Sequence, residues 1–255
     1  MAAKEYQDSF FLTVAESKRL IAKGVARCPA VLAALKDGIV AVAKGTTDAY
    51  VVEELTGEPI RKQHYCMGNT RPHKGGSRTK VDGKLPDLVL RRGERWEGVA
   101  AIEAAREMKA GDVFIKGANA LNYDLRQAGL LVGDPTGGTI GAALGPVIGR
   151  RATHLIPVGL EKNIPGDLKE AYRWLMAAGR NGSGLTLWPV DGEIFTELEA
   201  LDVLCGVDAV PIGAGGICGA EGSVRIAVWG TKQQLQQVDS LLEGIYGEPA
   251  FAESP

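Results

Sequence analysis

Nothing in the sequence supplies a disulfide framework or a closed zinc site, because Cys28, Cys66, Cys205 and Cys218 stand far apart without a Cys-x-x-Cys pair. Reduced thiols, the default of a cytosol, are expected. Long apolar runs are missing too. No stretch approaches the roughly twenty residues that cross a bilayer, and charge lies near the start where a secretory leader needs an apolar centre. The chain is therefore expected to be cytoplasmic, with no membrane partner. It carries no large excess of charge, its formal net charge being −2, so no global field draws nucleic acid and none is expected as a partner. Phenylalanine is scarce, at 5, while glycine numbers 34, which implies many tight turns in an otherwise ordinary globular composition. At 255 residues the chain can bury a substantial core, as one large domain or a main domain with a smaller one.

Strand-like and helix-like segments alternate. Thr13-Val-Ala-Glu16 reads as a capping box opening a helix to about Val25, and Pro29 opens a second helix that stops before Gly38. Ile39 to Ala43 reads as a core strand, followed by the turn Lys44 to Asp48 and a helix from Ala49 to Leu55. Further strands are expected at Leu88–Leu90, Val113–Ile115, Leu155–Val158, Leu185–Leu187, Ala209–Ile212 and Val224–Val228. Helices are expected at Trp96–Met108, Ile140–Ile148, Asp167–Ala178 and after the capping sequences at Thr196 and Thr231. Asn181 to Gly184 reads as a linker-like turn. Pro157 argues against a central ladder position for its strand.

This alternation gives an α/β class with a mostly parallel sheet flanked by helices. Residues 1–184 form the expected core, with a basic loop at 58–86. Residues 185–255 are either a small C-terminal α+β lobe or a continuation of the core, and the lack of a long linker favours continuity.

Two glycine- and threonine-rich turns carry the chemistry. In Lys44-Gly45-Thr46-Thr47 the glycine lets the backbone approach an anion, the threonines supply hydroxyls and N–H groups, and the next helix adds its positive end. Thr136-Gly137-Gly138-Thr139 has the same character before an apolar helix. Between them Val113–Ile115 delivers Lys116 and Asn119 to a strand's carboxyl end, where open α/β sheets bind ligands. Lys116 is either a base or Schiff-base nucleophile or a cation that neutralises a bound anion. Asp134 and Glu161, each at a turn after a strand, are the remaining acid–base candidates. Asp134 is alternatively a helix cap, and Glu161 a surface partner of Lys162.

The segment from Pro59 to Val81 holds Arg61, Lys62, His64, Arg71, His73, Lys74, Arg78 and Lys80 without a carboxylate, and reads as a solvated loop or an anion-closing lid. His64, Cys66 and His73 match no four-ligand metal spacing, so no metal is assigned. The glycine-rich Gly213–Gly222 stretch reads as a hairpin connection. Cys218 there is a nucleophile only if His154 approaches it.

Three segments resemble a known superfamily. Ile39 to Leu55 is similar to the phosphate-binding strand–loop–helix of ribose-5-phosphate isomerases and the wider sugar isomerase and coenzyme A transferase-like superfamily. Asp112 to Ala120 falls where those isomerases carry an acidic strand end, and Pro157 to Lys162 resembles their later strand and lysine turn. The resemblance implies their fold and a phosphate pocket made by Gly45, Thr46, Thr47 and Lys162. It doesn't carry over the isomerase reaction, because Lys116, Asn119 and Ala120 replace the paired carboxylates and no glutamate stands among Ile140 to Leu144. The whole chain also resembles an uncharacterised prokaryotic protein family, which supplies no chemistry.

A small anionic, phosphorylated metabolite is thus the expected partner, a homo-oligomer stays open, and no cofactor is named by the sequence. An isomerase-, lyase- or transferase-like enzyme is set against a non-catalytic sensor of the same fold.

Overall fold

A computed structural model describes residues 6–68, 70, 81–177 and 184–251. In chain order the elements are β1 (Tyr6–Leu12), α1 (Val14–Arg27), α2 (Pro29–Asp37), β2 (Ile39–Val42), α3 (Thr46–Thr56), β3 (Leu88–Arg91), β4 (Glu94–Arg95) and α4 (Ala101–Ala105). Then come β5 (Val113–Ile115), β6 (Ala120–Asn122), β7 (Gln127–Val132), α5 (Gly138–Gly149), β8 (Thr153–Pro157) and α6 (Leu168–Ala177). The chain continues through β9 (Thr186–Val190), β10 (Glu193–Phe195), α7 (Glu197–Cys205), β11 (Asp208–Ala214), β12 (Val224–Gly230) and α8 (Lys232–Glu243).

The central sheet has six strands in the order β10-β8-β5-β2-β3-β4. Its first four strands are parallel neighbours, whereas β3 runs antiparallel to β2 and β4 antiparallel to β3. Two antiparallel three-stranded sheets, β1-β12-β11 and β6-β7-β9, accompany it among the described residues. The expected α/β class holds, and the mostly parallel sheet is met only in part, by β10-β8-β5-β2 within a mixed sheet. The short Arg92-Gly93 reversal, with both residues at positive φ, folds β4 straight back on β3.

β2 is buried at every residue, as a strand covered on both faces must be. Val40 and Val42 face a large core shared with α1, α3 and α7, while Ile39 and Ala41 face a smaller one with Met108, Ala143 and Val147. Asp112, buried before β5, accepts the Ile39 N–H at 2.8 Å and the Lys109 N–H at 2.7 Å, and so aligns the starts of β2 and β5.

β8 is an interior strand, contrary to the expectation drawn from Pro157. The proline ends it, and the donor it lacks would point toward β5 past Leu155, the last residue paired there. The helix expected over Trp96–Met108 is shortened to α4, since Gly98 takes a left-handed φ of 76° and Trp96 donates its N–H to Val89 and lies under the Arg91 guanidinium. Strands on both sides of Gly184 share sheets: β9 pairs with β7, β10 with β8, and β1 with β12. The turn expected at Asn181–Gly184 lies outside the described residues except for Gly184.

Candidate functional site

Three parallel neighbours, β2, β5 and β8, end on the same rim, and the loops that leave them enclose a cavity of about 120 Å³. Lys44 to Asp48 line it after β2, Lys116 to Asn119 after β5, and Lys162 after β8. Cys66, Met67 and Gly68 close it from the segment before β3.

The turn after β2 passes directly into α3, whose first residues are Thr46 and Thr47 rather than Ala49. The N–H groups of that first turn have no helical acceptor and point toward the cavity end of the helix. Thr47 is 2% exposed, yet among the described residues its hydroxyl has no hydrogen-bond partner. Buried hydroxyls without partners are rare, because each forfeits its hydration.

Three ammonium groups surround this turn, and each spends one donor on a backbone carbonyl. Lys44 donates to Gly83 at 2.6 Å, Lys116 to Lys44 at 3.1 Å and Lys162 to Ala118 at 2.9 Å. An ammonium has three donors, so among the described residues each has donors beyond that carbonyl, those of Lys116 facing Asp48 as well. Burial pushes the Lys116 ammonium below its ordinary pKa, and Asp48 partly offsets that effect.

Asp48 is the carboxylate of the lining. Wholly buried, it accepts the Gly117 N–H at 3.1 and 3.2 Å and lies 4.0 Å from the Lys116 ammonium. Desolvation raises its pKa to about 6 against the pull of Lys116. A Cβ at Gly45 would run into this carboxylate, so the glycine makes room for Asp48. Sequence pattern alone predicts that this freedom serves an incoming anion, and gives no cavity role to Asp48, Cys66, Met67, Gly68, Gly117 or Ala118; the one signal is a carboxylate placed three residues after a glycine at a helix start.

Beside the cavity lies a second buried charge cluster. Glu197, fully buried in the first turn of α7, accepts the Leu160 N–H at 3.0 Å, and its pKa is raised to about 7 by burial and by the charge of Glu161. The Glu161 carboxylate oxygens are buried without a hydrogen-bond partner among the described residues, and a Cβ on Gly159 would collide with them. Burial lowers Lys18 to about 8, with Glu161 and Glu197 opposing and Lys162 reinforcing the shift. Glu161 thus sits in a buried cluster behind Lys162, not in a surface pair.

Of the other sequence candidates, those around α5 are placed elsewhere, and Asn119 stands at the cavity's edge. Asp134, Thr136 and Gly137 line a separate groove and share no lining residue with the lysine cavity. Asp134 accepts both the Thr136 N–H, at 2.7 Å, and the Thr136 hydroxyl, at 2.6 Å, which hold its pKa down. Gly138 and Thr139 begin α5 behind that turn and line neither cavity. Asn119 is an exposed residue whose Oδ1 accepts the Leu131 N–H, tying the loop after β5 to β7.

The basic segment is partly built into the fold. Lys62 is buried against Glu53 at 3.1 Å and over the Tyr50 ring, and Tyr65 donates its hydroxyl to Val42 while accepting the Leu88 N–H. Its Arg71, His73, Lys74, Arg78 and Lys80 lie outside the described residues. His64 pairs with Asp82 at 2.7 Å. His154 is buried with Nδ1 on the Asp191 carbonyl, whereas Cys218 is exposed between β11 and β12, and the two make no contact.

The chain matches no family model, no curated protein and no solved structure.

Proposed function

We propose that the chain binds a small anionic metabolite at the carboxyl ends of β2, β5 and β8, with a phosphoryl or equivalent anionic group seated in the lysine-lined cavity. The observation that carries this reading is the unpartnered, buried Thr47 hydroxyl at the first turn of α3, inside a ring of Lys44, Lys116 and Lys162. An anion would accept from the hydroxyl, the free helix N–H groups and the spare lysine donors together. At about 120 Å³ the cavity is smaller than the usual ligand pocket of roughly 300–1,000 Å³. It holds one charged group, and the rest of the molecule extends outward.

The chemistry that fits is proton transfer within an isomerase-, lyase- or transferase-type reaction. Lys116 supplies an ammonium whose pKa is lowered and which sits 4.0 Å from Asp48. Such a lysine exchanges a proton more readily near neutrality than an exposed one. The likeness to sugar isomerases supports the phosphate seat, and the acids that define their reaction are replaced here. Complete burial of Asp48 favours a second reading, a non-catalytic metabolite sensor, since the carboxylate that lines the cavity is held by Gly117.

Thermal-shift measurements with inorganic phosphate, sugar phosphates, nucleotides and acyl-coenzyme A test the binding step. Stabilisation by phosphorylated compounds, lost in a Lys116→Ala, Lys162→Ala double variant, is expected. No stabilisation by any phosphate, or stabilisation that the double variant retains, overturns the proposal. A product that accumulates with time separates the enzyme from the sensor.

A further inference from the structure

The second groove has a different chemistry from the lysine cavity. Its volume is about 840 Å³, within the range of sites that enclose a whole small molecule. One wall is α6, on which Lys169, Tyr172, Arg173 and Met176 follow the i, i+3, i+4, i+7 spacing and therefore share a stripe. The facing wall is Trp188 of β9, with Val132 beside it at the end of β7. The indole edge lies against the bare Cα atoms of Gly137 and Gly141. A Cβ at Gly137 would stand 2.7 Å from the ring, so the glycines set its position.

α6 buries only Leu168, and Met176 in the stripe is 59% exposed. An amphipathic helix normally covers its apolar stripe. Here Tyr172 and Met176 border a cavity together with two cations, Lys169 and Arg173, of which Arg173 also acts on the Asp167 carboxylate. The groove's one carboxylate, Asp134, is occupied by Thr136. Aromatic and apolar walls with two cations complement a flat ring bearing negative charge.

We infer that this groove is a second ligand site, independent of the lysine cavity, for a small molecule with a planar ring and an anionic group, either phosphate or carboxylate. Trp188 and Tyr172 receive the ring, and Lys169 and Arg173 the anion.

Titrations with adenosine monophosphate and with indole-3-carboxylate, followed by calorimetry and tryptophan fluorescence, test the site and distinguish the two anion types. The arms use wild-type protein, Arg173→Glu and Lys116→Ala. Arg173 is exposed, so its variant is expected to retain the wild-type circular dichroism and Tm. Saturable binding of at least one compound, weakened about tenfold or more by Arg173→Glu and unchanged by Lys116→Ala, is expected. Met176→Asp gives a second exposed substitution that must also weaken it. Absence of saturable binding by both compounds at millimolar concentration overturns the inference. So does binding that responds to Lys116→Ala but not to Arg173→Glu, an outcome that leaves the lysine cavity intact as an anion site.

Discussion

The turns that open α3 and α5 look alike in sequence, each pairing threonines with glycine at the start of a helix, and they end in opposite electrostatic states. At α5 the chain supplies its own anion: Asp134 accepts the N–H and hydroxyl of Thr136. At α3 the nearest carboxylate, Asp48, turns toward Gly117, and the Thr47 hydroxyl is left without an acceptor among three lysines. A helix start is thus an anion site only where the local sequence leaves its donors unspent. The residues that decide this are the neighbouring acids, not the glycines and threonines themselves.

The largest expected effect lies at the open turn. Lys116→Ala should weaken binding of inorganic phosphate by about tenfold to a hundredfold, the value of one charge-assisted hydrogen bond. Asp134→Asn should leave it within about twofold, since that residue lies in the other groove. Isothermal calorimetry on both variants makes the comparison. Equal losses would show that the two turns do not differ as described.

A second contrast is in pH. The Asp48 pKa is raised to about 6 in the folded chain, so its contribution to stability is present in full below its ordinary value and is lost as pH rises through about 6. The loss is on the order of 3 kcal/mol, or about 6–12 °C in Tm for a chain of this size. Asp48→Asn keeps an acceptor for Gly117 and should flatten that part of the Tm profile. Affinity for sulfate, whose charge is constant over this range, should also fall as Asp48 ionises beside the lysines. A sulfate affinity that rises through pH 6, or an unaltered Tm profile in the variant, contradicts the arrangement.

Thr47→Val tests the orphan hydroxyl more finely. Valine keeps the shape and removes a group that has no partner among the described residues, so Tm should hold or rise slightly. Phosphate affinity should fall by about threefold to tenfold, as for a single neutral hydrogen bond. A drop in Tm with unchanged affinity would assign the hydroxyl a purely internal role.

Much of the rim was legible because it rests on local rules. β2 and β5 are short apolar runs, α3 has a turn before it and Gly57 after it, and Lys44, Thr46, Thr47, Lys116, Asn119 and Lys162 do line one cavity. What escaped depends on distant pairing. β1 is exposed along most of its length, and is a strand because it pairs with β12 more than two hundred residues away. β6 and β7 lack a strong alternation, and the hairpin between them is held by tertiary contacts such as that of Asn119 with Leu131. Asp48 was hidden for a related reason. Its partner Gly117 is 69 residues away, and nothing near Asp48 in sequence reveals that the carboxylate will be buried.

The smallest expected effect belongs to the closed turn and carries the opposite sign in pH. Hydrogen bonds from Thr136 hold Asp134 below its ordinary pKa, so its contribution is present above the usual carboxylate range and is lost as pH falls through the lowered value. The group is exposed, and water screens most of the interaction. Asp134→Asn should therefore lower Tm only slightly near neutrality, with the difference disappearing in acid, where the wild-type carboxylate is protonated. Asp48→Asn should show its greatest divergence from wild type in alkali. Two isosteric Asp-to-Asn changes, at turns that read alike in sequence, would then bend the stability profile at opposite ends of the pH range. Profiles that bend at the same end would mean that both carboxylates serve the same purpose, and the case for an open anion seat at α3 alone would be lost.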